Sequence, residues 1–214
     1  MRRIGLTQRV ITIAGTNERR DSLDQQWTRL LVELGFVPVP LPNLIEDVEG
    51  YLAGLELDGV ILTGGDDIEE YASDAAATPE RDRLEHALIE YSEAHGLPVF
   101  GVCRGLQALV NHYGGKLSPV DGHVAVRHPV RFADGFIDGV ELPVDVNSYH
   151  DFGIDENGLP DILEAGVWSE DQKVEGACST DRRIIGIMWH PEREDRITPA
   201  DRALILNLFG ESSQ

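Results

Sequence analysis

Hydrophobic residues along the chain follow two different periods, one typical of amphipathic helices and one typical of buried strands. In residues 22–34, Leu23, Trp27 and Leu30 recur at helical spacing, whereas residues 58–65 form a β-branched run that ends in two glycines. The predicted strands are residues 5–9, 36–41, 58–65, 97–102 and 183–189, and the predicted helices are residues 22–34, 47–55, 79–95, 104–113 and a last helix opened by Thr198 and Pro199. This alternation predicts an α/β fold with a doubly wound, mostly parallel sheet flanked by helices.

Two regions depart from the simple alternation. Residues 36–41 contain Pro38 and Pro40, which predicts a strand near a sheet edge because proline cannot donate to the ladder. Residues 118–183 break into short β-rich pieces with Asp-Gly and Asn-Gly turn signals, so we expect small antiparallel additions there. No internal repeat or linker interrupts the chain, and residues 1–214 are predicted to form a single domain.

The composition narrows the range of partners. Lys and Arg total 18 against 38 Asp and Glu, and the net charge of −20 disfavours binding to nucleic acid. No apolar run is long enough to span a membrane or to resemble a signal peptide, so we expect a cytoplasmic protein without a membrane partner. Cys103 and Cys178 are lone thiols, and the seven histidines show no HExxH spacing, so neither a disulfide nor a metal site is predicted.

The segment GVCRGLQ at residues 101–107 lies where a predicted buried strand meets a predicted helix. A nucleophile on such a sharp turn occupies a strained backbone conformation, and Gly101 and Gly105 remove side chains that would clash there. Cys103 would then point out of the sheet above the positive end of a helix dipole, which favours the thiolate. The alternative is that Cys103 is only a small buried apolar residue.

A cysteine nucleophile needs a base, and MWHPE at residues 188–192 follows the last predicted strand. If that strand is parallel to the one before Cys103, His190 emerges at the same edge of the sheet. Glu192 can then hydrogen-bond to the imidazole nitrogen that faces away from Cys103. Attack on a carbonyl also needs hydrogen-bond donors for the oxyanion, and the backbone N–H groups of Gly65 and Arg104 are the candidates. The alternative is an ordinary loop histidine followed by a solvated charge run.

Three segments together resemble the signatures of class I glutamine amidotransferases and of the related γ-glutamyl hydrolases of peptidase C26 type. They are residues 62–65 (LTGG), 101–107 (GVCRGLQ) and 189–192 (WHPE). The resemblance implies a flavodoxin-like fold, a Cys-His-Glu triad, a thioester intermediate and a role for Gln107 in holding the glutamyl group. It implies no metal or organic cofactor.

Residues 5–9 (GLTQR) and 146–150 (VNSYH) are similar to the stand-alone γ-glutamyl hydrolases, where the second stretch lines the substrate pocket. That similarity implies substrate contacts by Asn147, Ser148 and His150. Further segments along nearly the whole chain resemble γ-glutamyl-CDP-amidate hydrolases, which act on a nucleotide-linked substrate. They are residues 7–9, 18–23, 147–152, 186–190 and 192–194, together with Trp27.

A nucleotide diphosphate would require local cations on this acidic chain. The available arginines are Arg9, Arg19, Arg20, Arg127 and Arg131. The same arginines could equally be surface salt-bridge partners. We take Arg9 as the substrate-binding candidate among them.

The sequence leaves several functions open. A small-molecule γ-glutamyl amide is the expected substrate, with a nucleotide-linked amide preferred over a polyamine or γ-aminobutyrate derivative. A glutaminase subunit that delivers ammonia to a synthetase shares the same residues, and a catalytically inactive binding module shares the same fold. The oligomeric state is also open, a homodimer being one option.

Overall fold

The computed structural model describes residues 1–16, 18–72, 77–137 and 139–210. Its strands are β1 (Arg3–Leu6), β2 (Arg9–Ile13), β3 (Glu18–Ser22), β4 (Val37–Pro40), β5 (Gly59–Leu62), β6 (Val99–Val102), β7 (Ser118–Pro119), β8 (Val124–Phe132), β9 (Asp145–Tyr149), β10 (Phe152–Gly153), β11 (Leu163–Ser169), β12 (Val174–Ser179) and β13 (Ile184–Ile187). Its α-helices are α1 (Gln25–Glu33), α2 (Val48–Leu55), α3 (Pro79–His95), α4 (Arg104–His112) and α5 (Pro199–Phe209), with short 3-10 turns at Glu156–Gly158 and Pro191–Arg193.

One nine-stranded sheet has the order β4-β1-β5-β6-β13-β12-β11-β8-β9. Its first five strands are parallel, and β12, β11, β8 and β9 continue it with antiparallel pairings. The antiparallel pieces predicted for residues 118–183 therefore extend the main sheet and are larger than expected. β4 lies at the edge, as Pro38 and Pro40 predict.

The first strand differs from its prediction. β1 ends at Leu6, and Arg9 instead begins β2, which forms an antiparallel hairpin with β3 outside the main sheet. The chain leaves the sheet at Thr7, whose backbone oxygen accepts a hydrogen bond from Thr63 Oγ1 at 2.9 Å. The exposed, charged positions of β3 gave no apolar alternation from which a strand could be predicted.

Helices cover both faces of the sheet. α1 and α5 pack on one face in a cluster that includes Ile61, while α2, α3 and α4 pack on the other face with Val60 and Leu62. This division follows from the two-residue period of β5, which sends neighbouring side chains to opposite faces. Among the described helices, none is long and apolar enough to cross a bilayer.

Helix α4 approaches β5 closely at Gly105. A Cβ built at this glycine would lie 2.0 Å from the carbonyl oxygen of Leu62, a backbone atom that cannot rotate away. The contact sets the distance between α4 and the sheet, and with it the position of the turn that precedes the helix.

We predict opposite effects for alanine at two helical glycines. Gly105→Ala should destabilise the protein by about 3 kcal/mol, since the helix and strand must separate. Gly54→Ala in α2 meets no atom within 4 Å and should stabilise it by roughly 0.5–1 kcal/mol. Urea unfolding of both variants measures the difference, and a near-neutral Gly105→Ala would contradict the close contact.

Candidate active site

Cys103 occupies the sharp turn between β6 and α4. Its backbone has φ 52° and ψ −105°, a conformation that costs energy for any residue with a side chain. A Cβ at Gly101 would lie 2.7 Å from the backbone of Gly105, so both glycines are required by the turn. The Cys103 N–H donates to the carbonyl of Ile187 at 2.7 Å, which fixes the turn against β13. The strand-turn-helix geometry expected for a nucleophile is therefore present.

His190 leaves β13 at the same edge of the sheet, since β13 pairs in parallel with β6. Its Nδ1 lies 2.7 Å from Glu192 Oε1, and both side chains are buried. A Cβ at Gly64 would lie 2.5 Å from His190 Cε1 and 3.5 Å from Cys103 Cβ. The imidazole and the thiol thus share Gly64 as a common neighbour, and the sequence-predicted Cys103, His190 and Glu192 converge.

Asn147 holds the main chain of His190. Its amide donates to the His190 carbonyl at 2.9 Å, and its oxygen accepts from the His190 N–H at 2.9 Å. This reciprocal pair fixes the direction in which the imidazole leaves the backbone. Asn147 therefore positions His190, which differs from the substrate contact that the resemblance implies.

The environment of His190 favours the imidazolium. Burial of the ring favours its neutral form, but the neighbouring Cys103 sulfur and the hydrogen-bonded Glu192 carboxylate outweigh burial and raise the pKa of His190 to about 9. His190 is therefore protonated at neutral pH. A protonated ring next to the sulfur can donate a proton to a nitrogen that leaves from the same place.

Arg81 fixes the two-glycine loop after β5, Gly64–Gly65, through hydrogen bonds to backbone carbonyls. Its guanidinium donates to the carbonyls of Thr63 and Gly65, each at 2.5 Å, and to the Gly64 carbonyl at 3.3 Å. The Gly65 N–H belongs to the same trans peptide as the Gly64 carbonyl, so it points away from Arg81. Gly65 lines the cavity that contains Cys103, and its N–H is the candidate hydrogen-bond donor on this loop.

Arg81 belongs to a buried ion-pair network that the sequence analysis missed. It donates to Glu85 at 2.9 Å, and the Arg104 side chain pairs with Glu85 and Asp82. Burial raises the pKa of Glu85, but Arg104 and Arg81 lower it further, so its pKa lies below the usual value. The i,i+4 spacing of Arg81 and Glu85 on the buried stripe of α3 was the available signal.

Arg104 contributes its backbone as well as its side chain. Its N–H is the first of α4, and the first N–H groups of a helix have no intrahelical acceptor. The Arg104 side chain pairs with Glu85 and Asp82, while its main chain follows Cys103 at the cavity. The Gly65 and Arg104 amides therefore both border the cavity that contains the thiol.

A cavity of about 300 Å³ opens above Cys103. Gln107 and Arg9, two of the predicted substrate-binding residues, line it, and the Gln107 amide donates to the Phe152 carbonyl at 2.9 Å. Lining residues that the sequence analysis missed are Asp66, Asp67, Tyr149, Asp151 and Arg193. Burial, Asp151 and Asp66 raise the pKa of Asp67, so negative charge is concentrated on one side of this cavity.

Ser148 and His150 do not present their polar atoms to the cavity. Ser148 is fully buried, and its hydroxyl donates to the His123 carbonyl at 2.6 Å. The His150 ring borders the cavity, but Nδ1 bonds to the Phe152 carbonyl and Nε2 lies 3.6 Å from Glu175. The structure therefore gives these two residues internal contacts where the resemblance implies substrate contacts.

Comparison with known proteins identifies the family. The peptidase C26 family matches residues 4–192. The chain belongs to the peptidase C26 family. It is 32% identical to the γ-glutamyl-CDP-amidate hydrolase of Campylobacter jejuni over 90% of each chain. It is also 28% identical to the γ-glutamyl-γ-aminobutyrate hydrolase of Escherichia coli O157:H7, with 80% of this chain and 78% of that one covered.

A solved structure supports the same fold. The glutamine amidotransferase of Thermotoga maritima superposes with a TM-score of 0.65 at 19% identity, over 89% of this chain and 76% of that one. The predicted α/β class and the resemblance to glutamine amidotransferases are confirmed by these matches.

In this peptidase C26 chain, most of the arginines considered for a nucleotide lie away from the cavity. Arg19 pairs with Glu80, Arg20 with Glu18, and Arg127 with Asp145 and Glu194, while Arg131 stacks on Trp168 at 4.3 Å. Arg9 remains at the cavity, where its Nε lies 3.2 Å from Asp66. Arg193 is the second cavity arginine and stacks on Tyr149 at 4.4 Å.

We predict that His190 titrates with a pKa of about 9 and that Glu192→Gln lowers this pKa, since the variant loses a negative partner. The folded value exceeds the ordinary 6.5, so the ion pair stabilises the fold fully below pH 6.5 and loses this contribution as pH rises through 9. NMR titration of ring nitrogens and urea unfolding across this range test both statements. An unchanged His190 pKa in Glu192→Gln would contradict the pairing.

Proposed function

We propose that this peptidase C26 chain hydrolyses a γ-glutamyl amide through a thioester on Cys103. The observation that carries the proposal is the meeting of Cys103, His190 and Glu192 around Gly64 at the floor of an open cavity. A buried nucleophile with an oriented base and two free backbone donors suits acyl transfer from an amide. The family relationship supplies the γ-glutamyl group as the expected acyl part.

The reaction would begin with attack of the Cys103 sulfur on the γ-carbonyl carbon. The Gly65 and Arg104 N–H groups would hold the oxyanion, and the His190 imidazolium would give its proton to the leaving nitrogen. Neutral His190 would then take a proton from water, whose oxygen attacks the thioester and releases glutamate. Glu192 keeps the ring oriented and stabilises its positive charge in both steps.

The cavity has complementary charges for a glutamyl group. Asp67 and Asp151 provide carboxylates suited to an α-ammonium, and Arg9, which Asp66 holds at the cavity, provides a cation suited to an α-carboxylate. Gln107 has its amide nitrogen fixed on the Phe152 carbonyl, so its oxygen remains as an acceptor for the substrate. These groups would orient the γ-carbonyl towards Cys103.

A nucleotide-linked amide, γ-glutamyl-CDP-amidate, is the preferred substrate. The C. jejuni relative supports it through similarity over 90% of both chains. Arg193 at the cavity, with its guanidinium over the exposed Tyr149 ring, supports it through charge, because a diphosphate needs a cation on this acidic protein. The products would be glutamate and cytidine diphosphoramidate.

A γ-glutamyl-γ-aminobutyrate-type substrate is the second candidate. The E. coli relative supports it, as does the placement of Arg19, Arg20, Arg127 and Arg131 away from the cavity. Such a leaving amine carries a single carboxylate, for which one arginine is sufficient.

We predict that Cys103→Ala lowers γ-glutamyl amide hydrolysis by about 10³-fold or more, because the covalent step is lost. Cys178→Ala, at a buried cysteine of β12 outside the cavity, should retain the wild-type rate. Glutamate release measures both variants, and hydroxylamine should divert the wild-type thioester to a γ-glutamyl hydroxamate. Normal turnover in folded Cys103→Ala would exclude the mechanism.

The Arg193→Met variant distinguishes between the two candidate substrates. For γ-glutamyl-CDP-amidate we expect kcat/KM to fall by about 10–100-fold, the worth of a charge-assisted hydrogen bond of roughly 1.5–3 kcal/mol. A γ-glutamyl anilide, which has no phosphate, should be hydrolysed nearly as before. Arg20→Met, remote from the cavity, serves as the matched control. The second candidate would be favoured if Arg193→Met lowered kcat/KM equally for γ-glutamyl-CDP-amidate and for the anilide. It would also be favoured if the wild-type protein hydrolysed γ-glutamyl-γ-aminobutyrate in preference to γ-glutamyl-CDP-amidate.

A further inference from the structure

Four side chains from the antiparallel half of the sheet meet in the interior next to the candidate active site. His123 immediately precedes β8, His128 lies within it, His150 follows β9, and Glu175 lies in β12. One ligand atom from each lies within 4.8 Å of every other. The proposed mechanism uses none of these four side chains.

Each histidine has one ring nitrogen fixed by an acceptor outside the cluster. His123 Nε2 faces Asp171 Oδ2 at 3.2 Å, His128 Nδ1 faces the Pro129 carbonyl at 3.3 Å, and His150 Nδ1 faces the Phe152 carbonyl at 3.0 Å. An oxygen acceptor places the ring proton on the nitrogen that it faces. The three remaining nitrogens therefore point into the cluster with a lone pair.

The inward atoms have no donor among the described residues. His123 Nδ1, His128 Nε2, His150 Nε2 and both oxygens of Glu175 are buried without a hydrogen-bond partner there. The Glu175 side chain is fully buried, and those of His123 and His150 are 7% and 2% exposed. Such a set of buried acceptors facing one another is costly unless a cation lies between them.

The spacing of these atoms suits a small tetrahedral cation. Glu175 Oε1 lies 3.4 Å from His123 Nδ1 and 3.6 Å from each of His128 Nε2 and His150 Nε2. Ligands about 2.05 Å from a tetrahedral Zn²⁺ are roughly 3.3 Å apart. We propose that His123, His128, His150 and Glu175 form a structural Zn²⁺ site.

The surroundings also match the charge of this ion. Glu175 and Asp171, which faces His123 Nε2 and accepts a hydrogen bond from Ser169 Oγ at 2.5 Å, together offset the two positive charges of Zn²⁺. A carboxylate or carbonyl behind each ligating histidine is the usual arrangement around bound zinc. Four protein ligands complete the coordination, so the site is closed and its role is structural.

The zinc site would stabilise the turn around His150, which forms one wall of the candidate active-site cavity. Tyr149 and Asp151, which line the cavity, flank His150 on either side in the chain. Zinc would tie this turn to β8 and β12, the latter being the neighbour of β13, which leads to His190. The inference does not depend on the proposed function, because a structural ion is detected without any substrate.

Without a metal, the same residues would form a charged hydrogen-bonded group. The Glu175 carboxylate raises the pKa of His123, so an imidazolium–carboxylate pair is the competing arrangement. Metal binding and this arrangement differ in metal content and in the response of stability to chelators.

The first test uses the full-length chain produced with Zn²⁺ in the medium and dialysed against buffer. We expect about one equivalent of zinc per chain by elemental analysis, and Co²⁺ added to the chelator-treated protein should give the intense visible absorption of tetrahedral coordination. Removal of zinc should lower Tm by about 5–10 °C. The Cys103→Ala variant should retain the metal whether or not the enzyme proposal holds.

Two histidine variants locate the metal. His128→Gln should lose the zinc, the Co²⁺ absorption and the chelator effect on Tm. His112→Gln removes a histidine from the surface pair with His86, whose Nδ1 atoms are 2.7 Å apart, and should retain all three. Wild-type protein without bound zinc or a Co²⁺ spectrum would overturn the proposal, and so would zinc that is lost in His112→Gln but kept in His128→Gln.

Discussion

One buried carboxylate, that of Glu85, links the two halves of the candidate oxyanion site. It binds Arg81, which holds the Gly64–Gly65 loop by its carbonyls, and Arg104, which follows Cys103 in the chain. Removing one member of a buried ion pair typically costs about 3–5 kcal/mol, because a charge remains without its partner. The distance between the loop and the turn is therefore fixed by charges that cannot move independently, and the backbone N–H groups proposed as oxyanion donors lie on these two fixed segments.

The two halves of the sheet contribute different kinds of residue. The parallel strands bring Cys103 and His190 to one edge, as carboxyl ends of neighbouring parallel strands must. The antiparallel half contributes Asn147, which fixes the His190 backbone, and the turn around His150, which forms one wall of the cavity. What was predicted as a small addition therefore determines the direction of the His190 side chain and the shape of the cavity.

The features that could be predicted are those whose residues lie close together in the sequence. The elbow around Cys103 and the His190–Glu192 pair were predictable because each is local, and α3 begins and ends at the predicted residues. The Arg81–Glu85–Arg104 network was missed because charged residues on a helix are normally assigned to solvent.

The cluster of His123, His128, His150 and Glu175 was missed for a related reason. Its ligands span more than 50 positions and lie on separate strands, so no short spacing marks them.

The cavity carries arginines, whereas the protein as a whole is strongly acidic. A net charge of −20 disfavours approach of a phosphate-bearing substrate, and this repulsion acts over roughly 8–10 Å at physiological salt. Arg9 and Arg193 lie at the cavity and act at shorter range, where their interaction with an anion is less screened. Arg193 stacks on Tyr149, and its Nε lies 3.8 Å from Glu192 Oε1, an oxygen that also bonds to His190 Nδ1. An acidic protein can therefore bind an anionic substrate through two well-placed cations, and the remaining arginines are free to pair with surface carboxylates.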